Sequence, residues 1–148
     1  MSDARALYQA AIVEHDRAPR HHGPLAAADA VATIDNPLCG DEVTVYVRRA
    51  DSRLDAVTFE ARGCALCRAA GSMMTARVHG TAVDEARALA ARFEAFVRRS
   101  PDAGDAPDEV ADAAALGDLH AFIGVRAFRS RQTCALLPFR ALLAALEG

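Results

Sequence analysis

Hydrophobic and polar positions alternate along two neighbouring stretches in the first half of the chain. Every second residue from Val43 to Val47 is valine, and within Leu54–Ala61 the residues Val57, Phe59 and Ala61 again share one face. A period of two is typical of β-strands with one covered face. A turn at Ala50–Arg53 separates the stretches, and Ala30–Ile34 is a further short candidate strand. The pattern therefore predicts a small antiparallel sheet.

Elsewhere the apolar residues recur mainly at helical spacing, which predicts helices over most of the rest of the chain. The sequence Thr81-Ala82-Val83-Asp84 resembles a capping box, with Asp in place of Glu. Ser100–Asp108 is rich in Pro, Asp, Ala and Gly and predicts an exposed loop. The predicted helices run from Asp3 to about Arg17, from Cys64 to about Val78, from Thr81 past Val97, across Leu116–Ile123, and onward from Cys134 with Pro138 in the first turn.

The composition is that of a globular protein. The 148 residues, of which 25% are charged and 52% hydrophobic, predict one domain over residues 1–148 with its own core. No apolar run reaches the ~18 residues of a membrane-spanning helix, and the N-terminus lacks an apolar signal core, so we expect a cytoplasmic protein. The net charge of −3 does not favour nucleic acid as a partner. All 17 basic residues are arginine, so no lysine could form a Schiff base with pyridoxal phosphate.

Cysteine supplies the candidate chemistry. Cytoplasmic cysteines more often bind metals or act in catalysis than form disulfides. Cys39, Cys64 and Cys134 each lie at a predicted element boundary, and Asp41 follows Cys39 by two residues. Three thiolates and one carboxylate would satisfy tetrahedral zinc. Because a carboxylate binds soft-leaning metals less firmly than a thiolate, we expect the site to be exchangeable.

Two other interpretations compete with a metal site. Each cysteine could be an inert buried residue, although all four being inert is the weaker interpretation. Cys64 and Cys67 also match the two-cysteine redox pattern, but the βαβ unit that normally carries it is missing. The histidines near the first predicted helix, His15, His21 and His22, are expected to be solvated, and Met73 and Met74 to fill the core.

At these residues the chain resembles the U-type iron–sulfur scaffold family, which comprises IscU, SufU and the N-terminal domain of NifU. The resemblance covers nearly the whole length. It rests on Leu7-Tyr8, on His15, Pro19-Arg20 and Gly23, and on four longer motifs. These motifs are Asn36-Pro37-Leu38-Cys39-Gly40-Asp41, Phe59-Glu60-Ala61-Arg62-Gly63-Cys64, Ala70-Gly71-Ser72-Met73-Met74-Thr75 and Arg131-Gln132-Thr133-Cys134-Ala135-Leu136-Leu137-Pro138.

Within this family the chain is most similar to the SufU branch. A SufU-like insertion is expected around residues 95–115. Thr133 replaces the histidine ligand of ordinary IscU scaffolds, and the Leu-Pro-Pro-Val-Lys segment that binds their chaperone is missing. Cys67 departs from the family, which commonly has serine or another small residue there, and could compete for metal or form a disulfide with Cys64.

The resemblance implies an α+β fold, with a three-stranded antiparallel sheet and helices packed against it. It implies a Zn2+ site made by Cys39, Asp41, Cys64 and Cys134. It also implies sulfurtransferase function: Cys39 accepts persulfide sulfur from a SufS-type cysteine desulfurase, with Cys134 as the second candidate acceptor. Downstream Suf scaffold proteins would be further partners. The alternative is a scaffold that assembles a transient [2Fe–2S] cluster on the same three cysteines.

Overall fold

A three-stranded antiparallel sheet forms one layer of the fold. The computed structural model describes residues 9–38, 40–99 and 108–147. The strands are β1 (Ala30–Asn36), β2 (Asp41–Ala50) and β3 (Arg53–Arg62), in the order β1-β2-β3. Both pairings are antiparallel. The predicted α+β class and the predicted sheet are therefore confirmed, with β1 two residues longer than expected.

Helices form the second layer and cover one face of the sheet. Val43, Val45 and Val47 of β2 are fully buried, while the residues between them are more exposed. The last helix packs against β1 and β2, and the helix that follows β3 packs against β3. The helical elements are α1 (Ala10–Arg17), α2 (Ala65–Val78), α3 (Val83–Arg98), α4 (Asp108–Leu116), a 3₁₀ segment (Gly117–Ala127) and α5 (Arg129–Glu147).

The core lies between the two layers. Phe59 of β3 and Phe93 of α3 are fully buried, as are most apolar side chains of α2. Met73 and Met74 are 1% and 0% exposed, so their predicted place in the core is correct. None of the described helices is both long and apolar enough to cross a membrane.

The start of the last helix was wrongly predicted. Helix α5 begins at Arg129, so Cys134 lies inside it and Pro138 is in its interior rather than its first turn. Proline has no N–H to donate to the carbonyl four residues earlier, which here belongs to Cys134. Burial of Leu136 (1% exposed) and Phe139 (2% exposed) on either side of Pro138 offsets that lost bond.

Two other helix predictions need correction. Thr81 does not cap α3, because the N-cap is Ala82 and the Thr81 hydroxyl donates instead to the Val78 carbonyl (2.8 Å). The helix predicted across Leu116–Ile123 is divided at Gly117, where φ is +55° and α4 gives way to the 3₁₀ segment. The predicted start of the first helix, and nearly all of the predicted loop Ser100–Asp108, lie outside the described residues.

Candidate metal centre

The pairing of β2 with β3 brings Asp41 next to Cys64. The register places Glu42 opposite Arg62, so the start of β2 and the end of β3 meet at one end of the sheet. Asp41 is 2% exposed. Its Oδ1 accepts a hydrogen bond from the Cys64 N–H (3.1 Å), and its Oδ2 lies 3.4 Å from Cys64 Sγ. The hairpin thus holds one carboxylate beside one sulfur.

Gly63 makes this approach possible. Its φ is +136°, in the region that favours glycine, and a Cβ there would overlap the Asp41 carboxylate. Sequence reasoning included Gly63 in a motif but assigned it no role. The available signal was a glycine at the end of a predicted strand, which often marks a close approach of another group to the backbone.

Helix α5 brings the second sulfur. Cys134 lies in its second turn, 1% exposed, with Sγ 3.7 Å from the Ser130 carbonyl. The predicted place of Cys134 at the start of the last helix is therefore wrong. Because α5 packs against both β2 and α2, it directs Cys134 toward the sheet end that carries Asp41.

The donor atoms of Asp41, Cys64 and Cys134 all lie within 4.8 Å of one another. Zinc–ligand bonds of about 2.0–2.3 Å place tetrahedral donors roughly 3.3–3.8 Å apart. Small side-chain movements could therefore close the three donors on one ion, and two sulfurs with one carboxylate oxygen suit zinc. The structure thus brings together three of the four predicted ligands, and these residues fit the metal. The fourth predicted ligand, Cys39, lies outside the described residues.

The thiols of Cys64 and Cys134 differ in their pKa values. A hydrogen bond from the Cys134 thiol favours the Cys64 thiolate and, with the Cys67 N–H, lowers the pKa of Cys64 to about 7 against the opposing effects of burial and Asp41. The same hydrogen bond, together with burial and the Asp41 charge, raises the pKa of Cys134 well above its ordinary value. Without metal, Cys64 is therefore the more acidic of the two thiols, and the thiolate is the form that binds a soft metal.

Cys67 lies outside this centre, as predicted. It is fully buried in the third position of α2 and belongs to the hydrophobic core. None of the three described cysteines forms a disulfide.

The prediction for the histidines was wrong for His15. His15 is 3% exposed, and its Nδ1 lies 2.7 Å from the Ser72 hydroxyl. His21 and His22 are exposed, as expected. The ring of His21 stacks on that of His79 with centroids 4.3 Å apart. None of these histidines belongs to the cluster formed by the described metal-ligand candidates.

Comparison with known proteins agrees with this geometry. Residues 7–135 match the family described as NifU-like N terminal domain. The chain is 31% identical over 147 residues to the iron–sulfur cluster assembly scaffold protein IscU of Streptococcus pyogenes, covering 99% of this chain and 87% of that protein. It is 30% identical over 136 residues to the zinc-dependent sulfurtransferase SufU of Bacillus subtilis, covering 92% and 86%.

Solved structures show the same fold. The putative SUF-system scaffold protein of Fervidobacterium islandicum aligns with a TM-score of 0.83 and 28% identity, covering 97% of this chain and 99% of that one. The NifU-like N-terminal protein of Brucella abortus aligns with a TM-score of 0.81 and 31% identity, covering 96% and 93%. The chain therefore belongs to the NifU-like N-terminal domain family and, with the IscU and SufU proteins, to iron–sulfur cluster assembly.

Proposed function

We propose that this protein is a zinc-bound sulfur acceptor that takes persulfide sulfur from a SufS-type cysteine desulfurase. The observation that carries the proposal is the cluster of buried Asp41, half-buried Cys64 and buried Cys134, in which a hard carboxylate replaces one soft ligand. The similarity to a protein named as a zinc-dependent sulfurtransferase supports it. So does Thr133, which stands where IscU scaffolds have a histidine ligand.

Cys39 is the proposed acceptor. Cys134 is 1% exposed, so it could meet a partner's persulfide only after α5 moved. The SufU-like resemblance assigns the acceptor role to Cys39, and the next residue, Gly40, has a φ of +76° in the turn that leads into β2. Zinc, when bound, would keep these thiols deprotonated and shield them from unspecific oxidation.

In the proposed transfer, the Cys39 thiolate attacks the outer sulfur of the desulfurase persulfide. A new S–S bond forms on Cys39, the S–S bond of the desulfurase breaks, and its cysteine leaves as a thiolate. Asp41 and the sulfurs of Cys64 and Cys134 remain in place as the other side chains of the centre. Downstream Suf scaffold proteins are the proposed recipients of the sulfur, and the cytoplasm remains the predicted compartment.

The second candidate function is a scaffold that assembles a transient [2Fe–2S] cluster on the same three cysteines. The similarity to an IscU scaffold protein favours it, and thiolates also suit iron–sulfur clusters. Anaerobic reconstitution with iron and sulfide distinguishes the two: a stable chromophore that passes to an apo-acceptor supports the scaffold, whereas tightly bound zinc with persulfide transfer supports the carrier.

The deciding experiment measures the rate of a SufS-type desulfurase with the wild-type protein and with Cys39→Ala. We expect the variant to abolish stimulation while its circular dichroism spectrum stays native. Cys67→Ser is the matched control, because Cys67 lies outside the proposed centre, and it should stimulate like the wild type. Full stimulation by Cys39→Ala would contradict the assignment. Loss in Cys67→Ser, with retention in Asp41→Ala, would instead indicate a Cys64–Cys67 redox protein.

A further inference from the structure

Cys67 is the cysteine that the proposed centre does not use, yet it lies one turn from a proposed ligand. Cys64 is the N-cap of α2, with φ −76° and ψ 164°, and Cys67 is the third helical residue. No hydrogen bond to the Cys64 side chain caps the helix, but the two cysteines lie on the same first turn of α2.

The backbone geometry suits a bridge between these two residues. Residues three apart in an α-helix have Cα atoms about 5 Å apart, from the helical rise and radius. Disulfides span Cα distances of about 4.4–6.8 Å. Only two residues separate the cysteines, so closing the loop costs little chain entropy. The Cys134 sulfur also lies within 4.8 Å of the Cys64 sulfur, so a bridge between Cys64 and Cys134 is the competing product that the experiment must distinguish.

The two thiols differ in solvent exposure. This is expected when one thiol is oxidised first and the second then forms a disulfide with it. Cys64 is half-buried and packs at the edge of the core, while Cys67 is fully buried. An oxidant from solvent therefore meets Cys64 first. Oxidation-sensitive cysteines are often accessible and lie next to a second cysteine that resolves them.

We propose that Cys64 and Cys67 form a redox dithiol, in which hydrogen peroxide oxidises Cys64 and Cys67 then forms a disulfide with it. The Cys64 thiolate attacks one peroxide oxygen, so an S–O bond forms, the O–O bond breaks and hydroxide leaves. The Cys67 sulfur then attacks Cys64, forming the S–S bond and releasing the oxygen as a second hydroxide. Two electrons pass from the thiols to the peroxide, and their two protons complete two water molecules.

The disulfide excludes Cys64 from the metal centre, because the sulfur that would bind the metal becomes part of the S–S bond. Oxidation would then release the metal, and a thiol reductant would restore the site. This consequence rests on the proposed zinc site, whereas the disulfide itself does not.

Because the chain contains arginine but no lysine, trypsin cleaves it only after arginine, and the cysteines fall in separate, known peptides. Trypsin cleaves after Arg62 and Arg68, so Cys64 and Cys67 fall in one peptide, Gly63–Arg68, whereas Cys39 and Cys134 fall in His21–Arg48 and Gln132–Arg140. Zinc-loaded and metal-free proteins are treated with one equivalent of hydrogen peroxide, and zinc is followed with a chromogenic chelator. We expect zinc release, Gly63–Arg68 lighter by two hydrogens, and recovery of zinc binding after dithiothreitol.

Cys67→Ser and Cys67→Ala are the controls. The alanine variant is included because alanine tolerates a buried position better than serine does, so one variant should fold even if the other does not. In both variants the Gly63–Arg68 peptide should gain one oxygen, as the Cys64 sulfenic acid, and should not lose two hydrogens, because no second thiol in that peptide resolves the oxidised Cys64. An unaltered Gly63–Arg68 peptide in the wild type, or a cross-link to either other cysteine peptide, would overturn the proposal. If the wild-type protein does not bind zinc but its metal-free form still forms the Cys64–Cys67 disulfide, the proposed zinc site is wrong and the redox dithiol is supported.

Discussion

The carboxylate of Asp41 fills the space that a side chain on Gly63 would need. Both residues lie where β2 and β3 end side by side, and Gly63 turns the chain from β3 into α2 with φ at +136°. That turn delivers the Cys64 N–H to Asp41 Oδ1 at 3.1 Å. The position of the proposed carboxylate ligand therefore depends on a residue that donates nothing to the metal.

Gly63→Ala should lower both stability and zinc affinity. The new methyl group would strain the backbone and displace Asp41, at a cost of about 3 kcal/mol in the free energy of unfolding. Gly23→Ala is the matched control, since its φ is +132° and a Cβ there meets nothing within 4 Å. It should cost only about 1–2 kcal/mol, from the backbone alone, and leave zinc affinity unchanged. Urea unfolding and competition with a zinc chelator measure the two effects. Equal losses in both variants would contradict the role of the overlap.

The sheet and half of the site could be predicted from the sequence, because both depend on local patterns. The alternating valines of β2 and the turn near Asp51 define a hairpin, and in a hairpin the residues at the outer ends of both strands must meet. Asp41 and Cys64 lie at those ends, so their proximity follows from the register.

The wrong predictions concern contacts between distant segments. His15 is polar and was expected in solvent, but Ser72 and Asp118, which lie 57 and 103 residues away, offer partners to its ring nitrogens. Cys134 was placed before α5 because a proline usually marks a helix start. The packing of α5 on the sheet overrides that local preference. No local pattern contains this information.

Asp41→Ala should weaken zinc binding without unfolding the protein. The variant removes one proposed ligand and its hydrogen bond to the Cys64 N–H, so zinc should exchange faster with a chelator and the zinc content should fall. Asp35→Ala, at an exposed position in β1, is the control for loss of one negative charge. Metal analysis of the purified proteins is the measurement. Equal zinc content in both variants would show that Asp41 is not a ligand.

Ser72→Ala should destabilise the fold while leaving the metal site intact. The fully buried Ser72 hydroxyl lies 2.7 Å from His15 Nδ1 and accepts a hydrogen bond from the Arg20 N–H (2.8 Å). Its removal leaves buried polar groups without this partner, at a cost of about 1–3 kcal/mol. Ser52→Ala, at an exposed turn position, should change stability by less than about 0.5 kcal/mol. Urea unfolding decides the matter, and equal midpoints for the two variants would count against the buried network.

The carboxyl group of Asp112 should account for part of the pH dependence of stability. Its side chain is 4% exposed, with carboxylate oxygens 3.2 Å from Arg92 Nε and 2.8 Å from an Arg99 side-chain nitrogen. Burial raises the pKa of the Asp112 carboxyl, but the hydrogen bonds and charges of Arg99 and Arg92 outweigh it and hold the pKa below its ordinary value of 3.8. The unfolded chain therefore takes up this proton at a higher pH than the folded protein. The stabilisation is complete well above 3.8 and is lost as the pH falls through the folded value.

Asp112→Asn should accordingly lower stability at neutral pH and flatten the loss of stability between about pH 5 and pH 2. Urea midpoints across this range are the measurement. Asp55→Asn removes the carboxylate of an exposed ion pair with Arg48 and is the control. Because solvent screens such a pair, its profile should stay close to that of the wild type. If Asp112→Asn instead ran parallel to the wild type at every pH, the Asp112 charge would not contribute to acid sensitivity, and the helix α4 that carries it would be held to α3 by packing alone.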